Sequence, residues 1–272
     1  MEDIRIAAVI MESVVGKTTD NLLKIEAFVK EAADKGVNVV CFPEASITGY
    51  CIQDKIVAYA EPIPGPSSNN LVRLSKNTGL TILSGLIERG EKGNLFVSHI
   101  VTSPDGLGDV YRKLHLAPKE ENLYRHGDEL PIYRYGEMTY GIELCYDTHF
   151  PELTTLLALQ GAEVLFMPYA SPRETPIEKK ERWLRYLSAR AYDNSIFVIA
   201  CNQVGSYNRK GSFPGVALVL DPKGQIIAER YSEKQEMIIA DLTVSDLMQV
   251  RGSKMGFFLD RRRPEIYGEL LN

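Results

Sequence analysis

Cys145 is the residue whose surroundings most favour chemistry in this sequence. It ends the apolar segment 138–145, and an acidic, proline-containing stretch, 148–152, follows. This pattern predicts a strand, a tight turn and the start of a helix, whose first amides would stabilise a thiolate and later an oxyanion. A buried structural cysteine is the alternative, since most free cysteines are of that kind. The nucleophile interpretation therefore depends on a base and an oxyanion donor elsewhere in the chain.

Glu44 is the candidate for the base. It follows Pro43 directly, at the end of the continuously apolar run 37–42. Burial at such a place would raise the pKa of the carboxyl group and make it an effective base near neutral pH. A structural carboxylate that caps the loop or pairs with a cation is the alternative.

Lys113 is the candidate for the oxyanion donor. It lies in the apolar-flanked segment 110–116, where a lysine is costly unless it pairs with an anion or takes part in chemistry. Neighbouring strand residues point to opposite faces, so Arg112 is the better candidate for a solvated cation. A thiol, a carboxylate and an ammonium group at strand ends fit a nucleophile, a base and an oxyanion stabiliser for acyl transfer.

Strand-like and helix-like segments alternate along the chain, in the same order in both halves. The first half is predicted to contain strands at 4–10, 37–42 and 80–85, helices at 20–35 and 67–77, and a hairpin of 95–102 with 109–113. The second half is predicted to contain strands at 139–145, 164–167 and 196–200, helices at 151–159 and 177–192, and a hairpin of 215–220 with 225–229.

The two halves also share a sequence pattern. Residues 36–46 match residues 161–171, with Gly, Val, Pro, Ala and Ser coinciding, and Glu44 aligns with Tyr169, so only one half carries the base. Two mixed sheets with helices on one face each predict an α/β fold, a four-layer α-β-β-α sandwich. No Gly-, Pro- or Ser-rich linker separates the halves. Residues 1–272 are therefore predicted to form a single domain, with 251–272 as an extended C-terminal tail.

The composition argues against several classes of function. The chain has 272 residues, 44% hydrophobic and 25% charged, and a net charge of −5, which gives nucleic-acid binding no support. The four cysteines lack metal-ligand spacing, and phosphate-binding and haem motifs are absent, so no metal and no cofactor are expected. The acidic N-terminus does not fit a secretory signal, and no apolar run is long enough to span a bilayer. A cytoplasmic protein is expected.

Several segments together resemble the nitrilase, or carbon-nitrogen hydrolase, superfamily along nearly the whole chain. They are Phe42-Pro43-Glu44 with Thr48-Gly49-Tyr50, Tyr111-Arg112-Lys113, Cys145-Tyr146-Asp147 with Phe150-Pro151-Glu152, Ala189-Arg190-Ala191, Asn202-Gln203-Val204-Gly205 and the tail segment 262–267. Each segment alone is weak, and their common order and spacing make the match specific. The superfamily fold is the same four-layer sandwich. Its members usually dimerise through helix layers with crossing C-terminal tails, so the resemblance implies a homodimer or a larger homo-oligomer.

The resemblance implies a role for each of the candidates. Glu44 would be the general base, Lys113 would stabilise the tetrahedral oxyanion, and Cys145 would be the nucleophile. The backbone amide of Tyr146 would complete the oxyanion hole.

Members of the superfamily also carry a second glutamate before a Gly-Asp turn. By its spacing from Gly127-Asp128, this residue is Glu120, with Glu121 as the alternative. The proline that usually precedes that glycine is His126 here, which departs from the superfamily pattern.

The residues after the cysteine bear on the bond that is cut. Nitrile-hydrolysing members tend to have Trp-Glu there, whereas Tyr146-Asp147 resembles the amidase and carbamoylase branches. The D-amino-acid carbamoylases tend to place two arginines next, where this chain has Thr148-His149. We therefore expect hydrolysis of a small linear amide through a cysteine thioester, with release of ammonia. Hydrolysis of an N-carbamoyl amine or amino acid is the alternative.

The candidates for substrate contact are Tyr50, His149, Tyr169 and Arg173. Arg173 follows the second strand of the second half and would line the mouth of the pocket together with Glu174. A surface ion pair between these two neighbours, worth little for stability, is the alternative.

Two other classes of function compete with the amidase interpretation. The first is a Cys-His hydrolase, in which His149, four residues after Cys145, would share its helix face and act as base. The second is a binding or assembly protein without activity, which the presence of all three candidate catalytic residues argues against. An acyltransferase with the same triad also stays open, because the sequence does not state whether water or an amine resolves the thioester.

Overall fold

The computed structural model of the protein describes residues 1–208 and 211–268. The strands are β1 (Ile4–Ile10), β2 (Val39–Cys41), β3 (Thr81–Arg89), β4 (Leu95–Ser103), β5 (Gly106–Arg112), β6 (Tyr133–Tyr135), β7 (Met138–Ile142), β8 (Val164–Tyr169), β9 (Phe197–Asn202), β10 (Gly205–Asn208), β11 (Gly211–Phe213), β12 (Gly215–Leu220), β13 (Ile226–Ser232) and β14 (Glu236–Leu242). The helices are α1 (Thr18–Asp34), α2 (Pro66–Thr78), α3 (Pro151–Leu159), α4 (Pro176–Asn194), α5 (Val244–Arg251) and α6 (Pro264–Tyr267).

The described strands form two 6-stranded sheets of the same topology and one small hairpin, β10-β11. The first sheet has the order β14-β1-β2-β3-β4-β5, and the second has the order β6-β7-β8-β9-β12-β13. In each sheet, neighbouring parallel strands (β1-β2-β3 and β7-β8-β9) are flanked by antiparallel ones. The doubled unit predicted from the sequence is therefore present in the strand order itself.

Three apolar cores separate four layers. Alternate residues of β1, such as Ile6 and Ile10, pack between the two sheets, while Ala7 and Val9 face the helices α1 and α2. A third core joins the second sheet to α3 and α4, and Trp183 is fully buried there. Both faces of the central strands are apolar because each is covered, as in other sheets with parallel strands. The predicted α/β fold, an α-β-β-α sandwich, is confirmed.

The boundaries of single elements differ from the predictions in places. β1 and α3 match residue for residue, but β7 ends at Ile142, three residues before Cys145 rather than on it. The strands β6, β10, β11 and β14 were not predicted. β14 is an edge strand of the first sheet and pairs antiparallel with β1. Its last residue, Leu242, is buried.

The C-terminal segment begins on the second half of the sandwich. The guanidinium group of Arg251 donates hydrogen bonds to the carbonyls of Ser195 and Ala162. Leu259 is buried in a helical turn before α6. The last residues of the predicted tail, 269–272, lie outside the described part of the chain. None of the helices described here is both long and apolar enough to cross a membrane.

Candidate active site

A buried cluster of charged side chains brings three of the predicted residues together. The ammonium group of Lys113 lies 2.8 Å from Oε1 of Glu44 and 3.0 Å from Oε1 of Glu120. All three side chains are at most 1% exposed. Glu44 follows β2, and Lys113 and Glu120 follow β5, so residues far apart in the chain meet here. Cys145, which follows β7, is close enough for Glu44, Lys113 and Glu120 all to shift the pKa of its thiol.

Glu44 is fixed on all sides. Its Oε2 accepts a hydrogen bond of 2.9 Å from the amide of Ala170, and its carbonyl accepts one of 2.7 Å from Nε2 of Gln203. Ala170 follows Tyr169, the residue that aligns with Glu44 in the other half, so equivalent loops of the two halves meet. Burial raises the pKa of the Glu44 carboxyl group, and the ammonium group of Lys113 opposes this shift. A carboxylate with a raised pKa is the stronger base.

Lys113 has one donor left for a substrate. Desolvation lowers the pKa of this lysine, but the carboxylates of Glu44 and Glu120 raise it further, and the net pKa lies well above the ordinary value. A lysine ammonium group has three N–H donors. Two of them serve Glu44 and Glu120, and the third is available for an oxyanion.

The structure distinguishes between the two candidate glutamates. Glu120 is 1% exposed, whereas Glu121 is exposed to solvent. Oε1 of Glu120 accepts hydrogen bonds from Lys113 and from the hydroxyl of Tyr50, and Oε2 accepts one from the amide of Ala117. Glu120 therefore holds the ammonium group in place.

The loop that carries Glu120 closes back onto Lys113. The amide of Gly127 donates to the carbonyl of Lys113 at 2.9 Å, and a Cβ at this glycine would lie 2.3 Å from the carbonyl oxygen of Arg112. His126, where the superfamily usually has proline, contacts the carbonyl of Leu114 through Nδ1 at 2.7 Å. The loop therefore closes without that proline.

Cys145 opens a helical turn, Cys145–His149, and has a left-handed backbone with φ of 45°. This conformation is disfavoured for residues with a Cβ, and such strain often marks functional positions. The hydroxyl of Thr148 donates to the carbonyl of Cys145 at 2.7 Å, and the hydroxyl of Tyr169 donates to Thr148 at 2.7 Å. These bonds hold the backbone of Cys145 in its unusual conformation.

The carboxylate of Asp147 also stabilises the Cys145–His149 turn. Its buried carboxylate accepts hydrogen bonds from the amide of Leu144 at 3.0 Å, the hydroxyl of Tyr111 at 2.8 Å and the amide of His115 at 2.7 Å. The turn is thereby tied to the segment around Lys113. Sequence reasoning did not assign this role, although a carboxylate in the first turn of a helix is a signal for such a contact.

The expectation of a stabilised thiolate is wrong for the resting site. Burial raises the pKa of the Cys145 thiol well above its usual range, the carboxylate of Glu44 raises it further, and Lys113 lowers it only in part. The thiol therefore keeps its proton at neutral pH, and a base must remove it. The amide of Tyr146, the second residue of the turn, has no partner within the turn because the first amides of a helix lack one.

Two adjoining cavities open next to this cluster. Tyr50, Ile52, Lys119, Arg173 and Tyr207 line both, and Glu120 lines the larger one, of ≈ 390 Å³. Burial and the Glu120 carboxylate raise the pKa of Tyr50 well above its ordinary value, so its hydroxyl stays protonated and donates to Glu120. Tyr50 and Arg173 thus lie on the cavity wall, as candidates for substrate contact should.

The predicted ion pair between Arg173 and Glu174 is absent. Glu174 instead pairs with Lys179 at 2.7 Å and with Arg182 at 2.9 Å. Both Arg173 and Glu174 have a left-handed backbone, with φ of 68°. Lys179 is buried, and sequence reasoning did not identify it.

The other two candidates for substrate contact do not line these cavities. Tyr169 is 1% exposed and packs against Trp183, with ring centroids 4.1 Å apart. Its contact with Cys145 is indirect, through the hydroxyl of Thr148. His149 is exposed, and its ring lies 4.8 Å from Tyr186 and 5.6 Å from Tyr146. Among the described residues no hydrogen bond joins His149 to Cys145, and this geometry gives the Cys-His alternative no support.

Comparison with known proteins agrees with this architecture. The sequence profile of the carbon-nitrogen hydrolase family matches residues 5–252. The chain belongs to the carbon-nitrogen hydrolase family. This carbon-nitrogen hydrolase is 31% identical to a probable nitrilase of Schizosaccharomyces pombe, over 98% of both chains. It is 29% identical to the omega-amidase NIT2 of Xenopus tropicalis, over 86% of both chains.

The fold of the hydrolase has close counterparts among solved structures. A carbon-nitrogen hydrolase from Helicobacter pylori superposes with a TM-score of 0.90 and 23% identity, covering 100% of this chain and 99% of that one. An amidase from Nesterenkonia superposes with a TM-score of 0.84 and 21% identity, covering 98% of this chain and 96% of that one. The resemblance inferred from the sequence is therefore confirmed for family and fold.

Glu143, two residues before Cys145, provides a test of the electrostatics at this site. Its carboxyl group is fully buried and accepts one hydrogen bond, 2.7 Å long, from the hydroxyl of Thr154. Burial raises its pKa from 4.5 to about 8. The folded state therefore favours the protonated form, and the stability gained in this way is present below pH 4.5 and is lost as the pH rises to about 8.

We expect the Glu143→Gln variant to gain stability over the wild type as the pH is raised from 5 to 8, by a few kcal/mol at about 1.4 kcal/mol per pKa unit. Urea unfolding at several pH values measures this difference. The exposed Glu181→Gln on α4 is the control, for which the difference from wild type should stay flat. A flat difference for Glu143→Gln as well would contradict the raised pKa.

Proposed function

We propose that this carbon-nitrogen hydrolase is an amidase that cleaves a small linear amide and releases ammonia, with Cys145 as nucleophile. The observation that carries the proposal is the buried Glu44–Lys113–Glu120 cluster beside a protonated thiol. Buried ionised groups are costly and cluster at functional sites. The cluster contains a base with a raised pKa and an ammonium group with one unused donor.

The first half-reaction would form a thioester. Glu44 removes the thiol proton of Cys145, the sulfur attacks the amide carbon, and the carbonyl electron pair moves onto oxygen. Lys113 and the amide of Tyr146 hold this oxyanion, and such donors typically contribute about 10²–10³ in rate each. When the intermediate collapses, the C–N bond breaks, Glu44 returns its proton to the nitrogen, and ammonia leaves.

The second half-reaction would release the acid. Glu44, again a carboxylate, takes a proton from water, and the resulting hydroxide attacks the thioester carbon. Lys113 and Tyr146 hold the second oxyanion, the C–S bond breaks, and the sulfur recovers its proton from Glu44. Glu120 keeps the ammonium group of Lys113 in place during both half-reactions.

Several observations support amides over other substrates. The relatives include an omega-amidase, an N-carbamoylputrescine amidase of Solanum lycopersicum and an (R)-stereoselective amidase of Pseudomonas. Two relatives named nitrilases are slightly more similar in sequence, at 31% and 30% identity, so sequence identity alone does not favour the amide. The residues Tyr146-Asp147, where nitrile-hydrolysing members tend to have Trp-Glu, favour the amide. Hydrolysis of N-carbamoyl amines is the second candidate, because it needs the same attack on a carbonyl carbon.

We expect the wild type to release ammonia from short primary amides or N-carbamoyl amines and to leave nitriles intact. Cys145→Ala should abolish this release. Glu44→Gln should lower kcat by about 10²–10⁴, the usual contribution of a general base. Ammonia assays on a panel of amides, N-carbamoyl compounds and nitriles measure these effects.

Glu44→Gln disturbs the buried cluster less than a Lys113 substitution would. Removing Lys113 would leave two buried carboxylates without a counter-charge, and breaking buried pairs typically costs about 3–5 kcal/mol. Glutamine keeps the shape of Glu44 and removes its charge. Equal ammonia release by wild type and Cys145→Ala would refute the proposal.

We also propose that the enzyme forms a homodimer through the layer of α3 and α4. Leu156, Leu159 and Tyr192 on these helices are each 50% exposed, and Phe258 of the C-terminal segment packs against Tyr192 with ring centroids 5.6 Å apart. Large exposed apolar groups that lie together commonly mark an interaction surface.

Light scattering tests the dimer. The chain has a mass of 30.5 kDa, and we expect a particle of twice this mass. Leu159→Glu should shift the mass toward the monomer, whereas Leu23→Glu, on α1 of the opposite layer and 60% exposed, should not. A monomeric wild type would contradict the proposal.

A further inference from the structure

We propose that the buried lysine Lys179 is a positioning residue for Glu44, the proposed base. Its ammonium group fixes the loop 170–174, which presents the amide of Ala170 to the Glu44 carboxylate. This role rests on the proposed function, in which Glu44 moves protons in both half-reactions. It also accounts for a buried charge that the proposed mechanism does not use.

All three donors of the Lys179 ammonium group are occupied. Nζ lies 2.7 Å from Oε2 of Glu174, 2.8 Å from Oγ of Ser171 and 3.4 Å from the carbonyl oxygen of Pro172. A lysine has three N–H donors, so none is left for a substrate, in contrast to Lys113. The side chain is 1% exposed, and a buried ammonium group is costly unless it is paired. Lys179 therefore acts on the loop and not on the substrate.

The residue that Lys179 holds is the direct neighbour of the one that holds the base. The amide of Ala170 donates to Oε2 of Glu44 at 2.9 Å. The backbone of the next residue, Ser171, exchanges two hydrogen bonds with the side chain of Asn202, of 2.9 Å and 3.0 Å. Asn202 thus fixes the backbone of Ser171, and Lys179 fixes its hydroxyl. Both contacts limit the movement of the Ala170 amide.

The far end of the loop is strained, and Lys179 helps to retain the strain. Arg173 and Glu174 both have φ of 68°, a left-handed conformation that residues with a Cβ rarely adopt. Such a backbone persists where the surrounding contacts determine it. The carboxylate of Glu174 is held by Lys179 and, at 2.9 Å, by Arg182. Lys179 therefore fixes the loop at both ends.

The contacts of Glu44 determine the pH response that a loosened loop should produce. The ionisable groups that face it are those of Lys113, Glu120, Cys145, Tyr50 and Tyr124. Burial raises the pKa of the Glu44 carboxyl group, and the hydrogen bond from Ala170 is one of the contacts that lower it. Weakening this bond would raise the pKa further. Because the proposed base acts as a carboxylate, the acid limb of the kcat/KM profile would move to higher pH.

Two neighbouring lysines provide a matched pair of variants. Lys179→Met removes the charge, fills the space with a flexible apolar chain and leaves Glu174 its second partner. Lys180 of α4 pairs instead with Glu229 of β13 at 2.7 Å, so Lys180→Met makes the same charge change without touching the loop. Ser171→Ala removes one acceptor of Lys179 without changing any charge, and it replaces Lys179→Met if that variant does not fold.

Hydrogen–deuterium exchange with residue-level fragmentation follows the amide of Ala170. We expect Lys179→Met to speed this exchange by roughly 10- to 100-fold, the usual range for losing hydrogen bonds from a charged group, and to leave the amides of α1 unchanged. With an amide that the wild type hydrolyses, kcat/KM at neutral pH should fall by roughly 10- to 100-fold, as for a misplaced catalytic group, and the acid limb should move to higher pH. Lys179→Arg and Ser171→Ala should show the same changes to a smaller degree, and Lys180→Met should show neither.

Unchanged exchange at Ala170 in Lys179→Met, or in Ser171→Ala where it replaces that variant, would overturn the inference. A higher KM with an unmoved acid limb would also overturn it, because the loop would then serve the cavity wall at Arg173 and not the base.

The exchange measurement needs no substrate, which separates this role from the proposed function. If no amide is hydrolysed but the Lys179 variants alone loosen the Ala170 amide, the link from Lys179 to Glu44 stands and the amidase proposal fails. If amides are hydrolysed and Lys179→Met changes neither the exchange nor the pH profile, the amidase proposal stands and the role of Lys179 fails.

Discussion

The fold is organised around one costly interaction, the burial of a lysine ammonium group between two carboxylates. Glu44, Lys113 and Glu120 are almost completely shielded from water, and each would be expensive to bury alone. Together they form ion pairs, and the backbone amides of Ala117 and Ala170 donate hydrogen bonds to the second oxygens of Glu120 and Glu44. Such clusters are not a cheap source of stability, because desolvation of the charges offsets their attraction. The contacts hold the proposed base, Glu44, and the proposed hydrogen-bond donor, Lys113, in fixed positions.

The doubled architecture supplies the means to build this cluster. Equivalent strands of the two halves end next to one another, so the loop that carries Glu44 meets the equivalent loop at Ala170. The halves are not chemically equivalent, because Tyr169 replaces the glutamate in the second half and supports the turn of Cys145 through Thr148. One half thus carries the proposed base, and the other carries the proposed nucleophile.

The candidate residues that follow buried strands were identified from the sequence, and the structure brings them together. Glu44, Lys113 and Cys145 could be named as candidates because a polar residue directly after an apolar strand is costly unless it has a partner or a function. The fold class followed from the repeated order of elements. The roles of Asp147 and Lys179 were missed. The first-turn position of Asp147 was a signal for a contact, but its partner Tyr111, like the partner Glu174 of Lys179, is brought close only by tertiary packing.

Errors in the prediction share the same physical origin. The pKa of the Cys145 thiol was expected to fall, since helix amides favour a thiolate, but burial and a neighbouring carboxylate outweigh that effect. The strand β14 was missed because its partner, β1, lies at the other end of the chain. In both cases, contacts with residues distant in the sequence decide the outcome: the direction of the Cys145 pKa shift in one and the formation of a strand in the other.

The central claim is that this environment makes Cys145 form a thioester with the substrate. Rapid acid quenching during turnover, followed by intact-protein and peptide mass spectrometry, tests it most directly. With an amide that releases ammonia, we expect the wild type to gain the mass of the acyl group on the peptide that contains Cys145, and the Cys145→Ala variant to gain none. An acyl group on another residue, or continued ammonia release by Cys145→Ala, would contradict the claim.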